Sequence, residues 1–292
     1  MNIKIEYNNR PHVVINDVKY FTFSGGEVHI QIPTDIPFAD PARIRITTRI
    51  TNSDKLMELF MVTDALRRKF GTLVPIYVTI PYLPYARQDK ISAQGESLSL
   101  KVFADLINSQ NYAKVITFDA HSDVANALIN NLKNISQKSV VWYVASYRGI
   151  GEMLQNKVLI IPDHGASKKS YQLGEVLSPE KFVQVDKARD EFGNIVKTVV
   201  YTDLLVDKDC LIVDDICDGG ATYIAIAKEL LTLGAKSITL FTTHGIYAKG
   251  VDCLYNAGID TIVTTDTFRS ANQYSEDLCT LMRVVPVVDY LF

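Results

Sequence analysis

The chain has 292 residues, 47% of them hydrophobic and 22% charged, with a formal net charge of −3 and a mean hydropathy of +0.06. That length lies where single cores stop growing, so two medium α/β domains are expected rather than one large one. No apolar run reaches the roughly 18 residues that cross a bilayer, the first residues lack a signal-peptide core, and no basic stripe faces nucleic-acid backbones, so a cytoplasmic protein with neither membrane nor nucleic acid as partner is expected.

Taken in chain order, "RIRITTRI" (43–50) reads as a strand. "DKLMELFMVTDALRRKFG" (54–71) reads as a helix, with Leu56, Leu59, Phe60, Leu66 and Phe70 near helical spacing and Gly71 as the stop. "LVPIYVTI" is the next strand, "SLSLKVFADLI" the next helix and "KVITF" the strand after it. The β-rich pattern restarts at "KSVVWYV" and continues through "KVLIIP", "KFVQV", "DCLIV" and "KSITLF", with the helix "YIAIAKELLTLG" (223–234) between the last two. This alternation predicts two α/β domains, 1–141 and 142–292, each a mainly parallel sheet flanked by helices. Cys210, Cys217, Cys253 and Cys279 lack metal-site spacing and read as reduced packing residues.

Open α/β sheets gather ligands beyond the carboxyl ends of their strands. Four predicted strand ends carry chemistry: the loop "PYLPYARQDKISAQGES" with Arg87, Gln88, Asp89 and Lys90; Asp119-Ala-His121-Ser; Asp163-His164-Gly165-Ala-Ser-Lys168-Lys169; and "LIVDDICDGGAT" (211–222). Each alone has a structural explanation, since Asp119 and Asp163 suit helix caps and Arg87 and Lys90 suit a solvated loop. Together they point to metal-assisted phosphate transfer. Acids and imidazole hold a divalent cation, Arg and Lys neutralise phosphate oxygens, and a glycine turn at a helix start cradles a phosphate. The turn is no Walker A loop, because no Gly-Lys-Ser/Thr closes it. Two acids beside such a cradle suit the hydroxyls of a ribose phosphate.

These residues resemble the ribose-phosphate diphosphokinases, also called phosphoribosyl pyrophosphate synthetases. "FSGGEVHIQI" is similar to the family's FSxxE strand, "NSDKLMELFMVTDALRR" to its NDxLMELL helix, and "IPYLPYARQDK" to PYxPYARQDK. "DAHS" resembles DLHS, "IPDHGASKKS" resembles SPDxGGxKR, "VDKARD" resembles HKxR, and "LIVDDICDGGAT" resembles LVDDxxDTGGT. The resemblance implies two phosphoribosyltransferase-like domains, an N-terminal one for ATP and a C-terminal one for ribose phosphate. It implies transfer of the β,γ-diphosphoryl group of Mg-ATP to the anomeric hydroxyl of ribose 5-phosphate, with Mg²⁺ as cofactor and AMP as product. By matched position, Arg87, Gln88 and Asp89 belong to the ATP site, and His121 and Asp163 hold magnesium, His121 also bordering ATP. Lys187 and Arg189 are the catalytic pair on a mobile loop; Asp214 and Asp215 bind ribose hydroxyls, and Asp218, Gly219, Gly220, Ala221 and Thr222 surround the 5-phosphate. Phe23 and Glu27 contact adenine from a neighbouring subunit, which implies a homo-oligomer.

The chain also departs from the family pattern. Gly219 stands where DTGGT has a threonine, Ala166 stands where the ribose segment has a glycine, and Gly25 replaces the usual acid or amide of FSxxE. The family's first strand and helix are expected to be largely missing, as is its last helix, and "HSDVANALI" lacks the glutamine- and phenylalanine-rich continuation. The altered cradle leaves a second acceptor open, a ribose whose 5-phosphate carries a further group, such as ADP-ribose in NAD metabolism. Two other classes stay as alternatives, a phosphoribosyltransferase and a noncatalytic synthetase-associated subunit; Arg87, Gln88, His121, Lys187 and Arg189 all stand against the latter.

Overall fold

A computed structural model describes residues 1–8, 10–36, 41–189, 195–202, 204–274 and 282–289. The chain forms two compact units, Met1–Ile135 and Ser136–Phe292. No helix among the described residues is long and apolar enough to cross a membrane.

The first unit runs β1 (Asn2–Glu6), β2 (Val13–Ile15), β3 (Lys19–Thr22), β4 (Val28–Gln31), β5 (Arg43–Thr47), α1 (Ser53–Phe70), β6 (Ile76–Thr79), α2 (Ser99–Ser109), β7 (Lys114–Phe118), α3 (Val124–Leu128) and β8 (Leu132–Ile135). Its main sheet has the order β2-β1-β5-β6-β7-β8, and β3 with β4 forms a separate antiparallel ribbon. Strands β5 to β8 are parallel, whereas β1 and β2 add antiparallel at the edge. Alternation sets the faces: Ile3, Ile5, Ile44 and Ile46 are buried, while Arg43 and Arg45 turn outward onto the Glu6 carboxylate. Helix α1 starts where Asn52 accepts the Lys55 N–H at 3.0 Å, a cap worth about 1 kcal/mol. Leu56, Leu59, Val62 and Leu66 form its buried stripe.

Two expectations are corrected here. The first strand is present, because Ile3 and Ile5 pair β1 with β5 over its whole length. A further strand, β8, extends the sheet beyond "KVITF"; only Ile135 of its four residues is buried, so it lacks the apolar run that marks its neighbours.

The second unit comprises α4 (Gln137–Ala145), α5 (Ile150–Leu154), β9 (Val158–Ile161), α6 (Ser167–Gln172), α7 (Gly174–Leu177), β10 (Lys181–Arg189), β11 (Ile195–Val200), β12 (Asp209–Cys217), α8 (Ala221–Thr232), β13 (Ser237–Gly245), α9 (Asp252–Tyr255), β14 (Thr261–Thr265) and β15 (Met282–Val285). The sheet order is β11-β10-β9-β12-β13-β14-β15, parallel throughout except for β11. Val158–Ile161 and Cys210–Val213 are buried without interruption, as expected for central parallel strands covered on both faces. Helix α8 buries Tyr223, Ile226, Ala227 and Leu230, each large aliphatic side chain contributing about 1.5–3 kcal/mol.

"KSVVWYV" is helix α4, not a strand. Gln137, Val140, Val141 and Val144 are its buried residues, an i, i+3, i+4, i+7 stripe, and the Ser136 hydroxyl caps it by accepting the Ser139 N–H. Core burial and the cap override the β propensity of its valines. Because α4 belongs wholly to the second unit, the units divide at 135/136, ahead of the 141/142 joint read from the sequence. Cys210 and Cys217 are buried free thiols and Cys253 a half-buried one; burial pushes the Cys210 thiol up to about 11. Cys279 lies outside the described residues.

Candidate active site

In the first unit, chemistry collects at the carboxyl ends of the adjacent parallel strands β6 and β7. The loop after β6 turns at Tyr85, where the backbone has φ +63°. The Gln88 N–H donates to the Tyr85 carbonyl at 3.0 Å, and the Gln88 carbonyl accepts the Leu100 N–H at 3.2 Å, tying the loop to the start of α2. This leaves Arg87 and Gln88 exposed and Asp89 half-buried. After β7, Asp119 is buried with φ +38°, a costly conformation for a residue with a side chain. Its N–H donates to the Ile135 carbonyl at 2.7 Å, and the next N–H, of Ala120, donates to Asn134 Oδ1 at 3.1 Å. The strained, doubly anchored turn presents His121 at the surface. Asp123, not Asp119, is the residue that precedes α3.

Phe23 and Glu27 sit on the turn of the β3–β4 ribbon, closed by Gly26 N–H to the Phe23 carbonyl at 2.8 Å. Phe23 is 53% exposed, with its ring centroid 5.1 Å from that of Phe21 and 5.9 Å from that of His29. Gly25 has a local reason: a Cβ there would stand 2.6 Å from Glu27 Oε2, so glycine lets the carboxylate fold over the turn.

In the second unit the site begins at the end of β9. Asp163 Oδ1 accepts the Ala166 N–H at 3.0 Å, so the cap read from the sequence exists, on a 3₁₀ turn. Its other oxygen accepts from Lys187 Nζ at 3.2 Å. The Lys187 side chain is only 7% exposed whereas that of Asp163 is 47% exposed. The fold thus sheathes the lysine stem and leaves the carboxylate open. Beside them, His164 Nε2 lies 3.1 Å from Asp186 Oδ1, and the Tyr201 hydroxyl donates to Asp186 Oδ2 at 2.8 Å. A cavity of about 560 Å³ is lined by Asp163, His164, Asp186, Lys187 and Lys197 among others. Arg189 ends β10, and its side chain lies outside the described residues, as does 190–194 of the expected loop.

Strand β12 pairs with β9 through Ile212 and Ile160, so Asp214, further along β12, lies beside the chain that leaves β9 towards Asp163. Asp214 Oδ1 accepts the Asp215 N–H at 2.9 Å, and Oδ2 lies 2.9 Å from the Tyr223 hydroxyl. That hydroxyl is also 2.6 Å from the Ile216 carbonyl. It has a single proton, which it donates to the Asp214 carboxylate or to the Ile216 carbonyl. Burial first, then the charge of Asp215, pushes the Asp214 carboxyl well above the ordinary carboxylate range. Asp215 is 7% exposed.

The chain then turns through Asp218 and Gly219 to Gly220, whose φ of +78° makes it the left-handed start of α8. A Cβ on Gly220 would also stand 2.9 Å from Leu254 Cδ2, so both backbone and space require glycine. Ala221 and Thr222 open the helix, where the first N–H groups have no intrahelical partner.

The sequence-predicted residues thus form two groups. Phe23, Glu27, Arg87, Gln88, Asp89 and His121 belong to the first unit; Asp163, Lys187, Arg189, Asp214, Asp215 and residues 218–222 belong to the second. Tyr223 and Lys249 were not singled out, although a lone tyrosine in "ATYIAIAKELL" and a lone cation after the strand end "TTHG" were legible signals.

Residues 4–110 match the model of the N-terminal domain of ribose phosphate pyrophosphokinase, and residues 155–275 match the phosphoribosyl transferase domain. A ribose-phosphate pyrophosphokinase of Shewanella oneidensis is 30% identical over 256 residues, covering 87% of this chain and 79% of the relative. The chain belongs to the ribose-phosphate pyrophosphokinase family. Another pyrophosphokinase, from Haemophilus influenzae, is 29% identical over 263 residues, with 89% of this chain and 81% of the relative covered. The fold likewise matches the crystal structure of a phosphoribosylpyrophosphate synthetase from Mycobacterium smegmatis, with a TM-score of 0.77 at 21% identity over 94% of this chain and 87% of the other. As in the pyrophosphokinase pattern, PYARQDK in the first unit is joined in this chain to the paired acids and glycine turn of the second.

Proposed function

We propose that this pyrophosphokinase-family chain transfers the β,γ-diphosphoryl group of ATP to the anomeric hydroxyl of ribose 5-phosphate, releasing AMP. Family membership names the reaction type, and the observation in the chain that carries the assignment is the second unit's arrangement. A buried lysine stem ends on the Asp163 carboxylate, while the adjacent strand β12 carries Asp214 and Asp215 ahead of the glycine turn that opens α8.

In this reading Asp214 and Asp215 accept hydrogen bonds from the ribose 2- and 3-hydroxyls, and the N–H groups of 219–222 hold the 5-phosphate. The C1 hydroxyl attacks the β-phosphorus in line. A C1–O–P bond forms, the bond from the β-phosphorus to the oxygen bridging it to the α-phosphorus breaks, AMP leaves with that oxygen, and the hydroxyl proton passes to solvent. Lys187 and Arg189 neutralise charge growing on the transferred group. Arg87, Gln88 and Asp89 grip the nucleotide, and Phe23 with Glu27 receives adenine from a neighbouring copy in a homo-oligomer. The exposed Phe21 and Phe23 suit such a shared surface.

Among the described residues no cluster of three or more His, Cys, Asp or Glu side chains gathers as a metal cage. Mg²⁺ carried on substrate phosphates needs only one or two protein ligands, and His121 in the first unit and Asp163 in the second are each a residue that would supply one. When bound, the ion would lower the charge of the phosphates and polarise them. The Asp163 oxygen that faces Lys187 serves either the ammonium or the ion.

The relatives are named for ribose phosphate, which favours ribose 5-phosphate over ADP-ribose as acceptor. Incubation with Mg-ATP and either acceptor, followed by chromatographic measurement of AMP, is expected to give AMP with ribose 5-phosphate. AMP formed with ADP-ribose alone moves the acceptor assignment, and AMP with neither removes the proposal.

A further inference from the structure

Tyr223 is the third residue of α8 and the one member of its buried stripe whose side chain carries a polar atom. The residue is 3% exposed and packs in the core of the second unit with Ile226, Ala227 and Leu230. A phenylalanine would fill the same space. The hydroxyl is therefore what packing alone does not require, and a hydroxyl taken out of water needs a partner.

Its partners lie on β12, Asp214 Oδ2 at 2.9 Å and the Ile216 carbonyl at 2.6 Å. Burial first, then the charge of Asp214, pushes the phenol further above its ordinary range, so the hydroxyl keeps its proton and stays a donor. When Asp214 is ionised, as its role towards sugar hydroxyls requires, its carboxylate is the stronger of the two acceptors. The other oxygen, Oδ1, accepts the Asp215 N–H at 2.9 Å. Asp214 is thus held at both oxygens, once from its own strand and once from the following helix. These two contacts fix the plane of the carboxylate. Each oxygen keeps a second lone-pair site for a ligand, so Asp214 is oriented without being blocked.

The same contact ties two parts of the site together. From Asp214 the chain leaves β12, turns through 218–220 and enters α8, and Tyr223 reaches back from the helix to the strand. The acid read as a ligand of ring hydroxyls and the helix start read as the seat of the 5-phosphate are thereby held at one separation. We propose that Tyr223 is a positioning residue for the ring hydroxyls of the acceptor, acting through Asp214. The inference deepens the functional reading above and rests on it for the identity of the acceptor. A site built to accept from a sugar hydroxyl discriminates against the analogue that lacks it, provided the acceptor is aimed.

The test sets KM for ribose 5-phosphate beside the inhibition constants of 2-deoxyribose 5-phosphate and 3-deoxyribose 5-phosphate, measured as competitors of AMP formation, in wild type and Tyr223→Phe. The substitution keeps the ring and removes the hydroxyl alone. KM for ribose 5-phosphate is expected to rise about tenfold, the effect of one charge-assisted hydrogen bond lost through misdirection. Both kcat and KM for ATP stay within about threefold, as for an interaction made equally in ground and transition states. The deoxy sugar that lacks the hydroxyl held by Asp214 has no such bond to lose, and its inhibition constant changes less than about twofold. Because the sugars are compared within one variant, any loss of stability cancels. Tyr223→Phe added to Asp214→Asn weakens ribose 5-phosphate by less than about twofold further, since both act on one contact. Equal weakening of all three sugars is the mark of a structural role and overturns the inference, as does a KM for ribose 5-phosphate within about twofold of wild type. A wild-type protein that makes no AMP from ribose 5-phosphate removes the functional reading, and this inference with it.

Discussion

Lys187→Ala is expected to lower kcat by on the order of 10²- to 10³-fold, the usual cost of removing one preorganised group that stabilises transition-state charge. The structure separates that loss from unfolding. Lys187 is sheathed by the fold, but its partner Asp163 is half open to solvent, so the pair contributes less than about 1 kcal/mol to stability. The variant should melt within a few degrees of wild type and bind ATP with little change, while turnover collapses. Lys187→Arg, which keeps the charge, should recover part of the rate. Full turnover in Lys187→Ala removes the catalytic assignment of this residue.

Asp214→Asn is expected to act on activity and stability in opposite directions. Asp214 faces the expected ribose hydroxyls with its carboxyl pushed well above the ordinary range by burial and by Asp215. An unfolded aspartate titrates near 3.9, so the folded protein binds more protons at this position than the unfolded chain does. Stability from this residue is therefore present at low pH and is lost as pH rises through the raised folded value. An asparagine carries no charge at any pH and escapes that loss. At pH 8 the variant should gain on the order of 1 kcal/mol, about 2–4 °C in Tm for a unit of this size, with the gain shrinking towards pH 4. Turnover with ribose 5-phosphate should fall on the order of 10²-fold, because an amide cannot accept both hydroxyl protons as a carboxylate pair does. Thermal melts across pH 4–9 beside kinetics check both halves. A variant less stable than wild type at pH 8 contradicts the raised carboxyl, and unchanged kinetics contradicts its place in the ribose site.

The parallel sheets were legible because their central strands are covered on both faces and so read as unbroken apolar runs, "VLII" and "CLIV" among them. Helix α4 was misread for a related reason. Its helical stripe, Gln137-Val140-Val141-Val144, is in the sequence, but three valines weigh towards strand until the Ser136 cap and the core are seen. Strand β8 escaped because it buries only Ile135, and β1 because pairing with a distant partner, β5, is what makes it a strand.

In the site, the types and order of residues were visible, and their contacts were not. Lys187 and Asp163 stand 24 residues apart and meet only because β10 pairs beside β9. Tyr223 looks like one more apolar helix residue until its hydroxyl is found against Asp214. The exchange at Gly219 reads as a plain loss in sequence. Lys249, thirty positions on and brought back by a loop tied to Cys217 and Asp218, lays its stem where a side chain at 219 would reach.

Phosphorus NMR of the purified protein with Mg-ATP and ribose 5-phosphate in one vessel tests the central claim most directly. The account predicts AMP and a new diphosphate resonance on a sugar carbon appearing one for one, with neither formed when ribose 5-phosphate is omitted. Formation of ADP with a singly phosphorylated sugar, or release of AMP and free pyrophosphate whether or not the sugar is present, would contradict it.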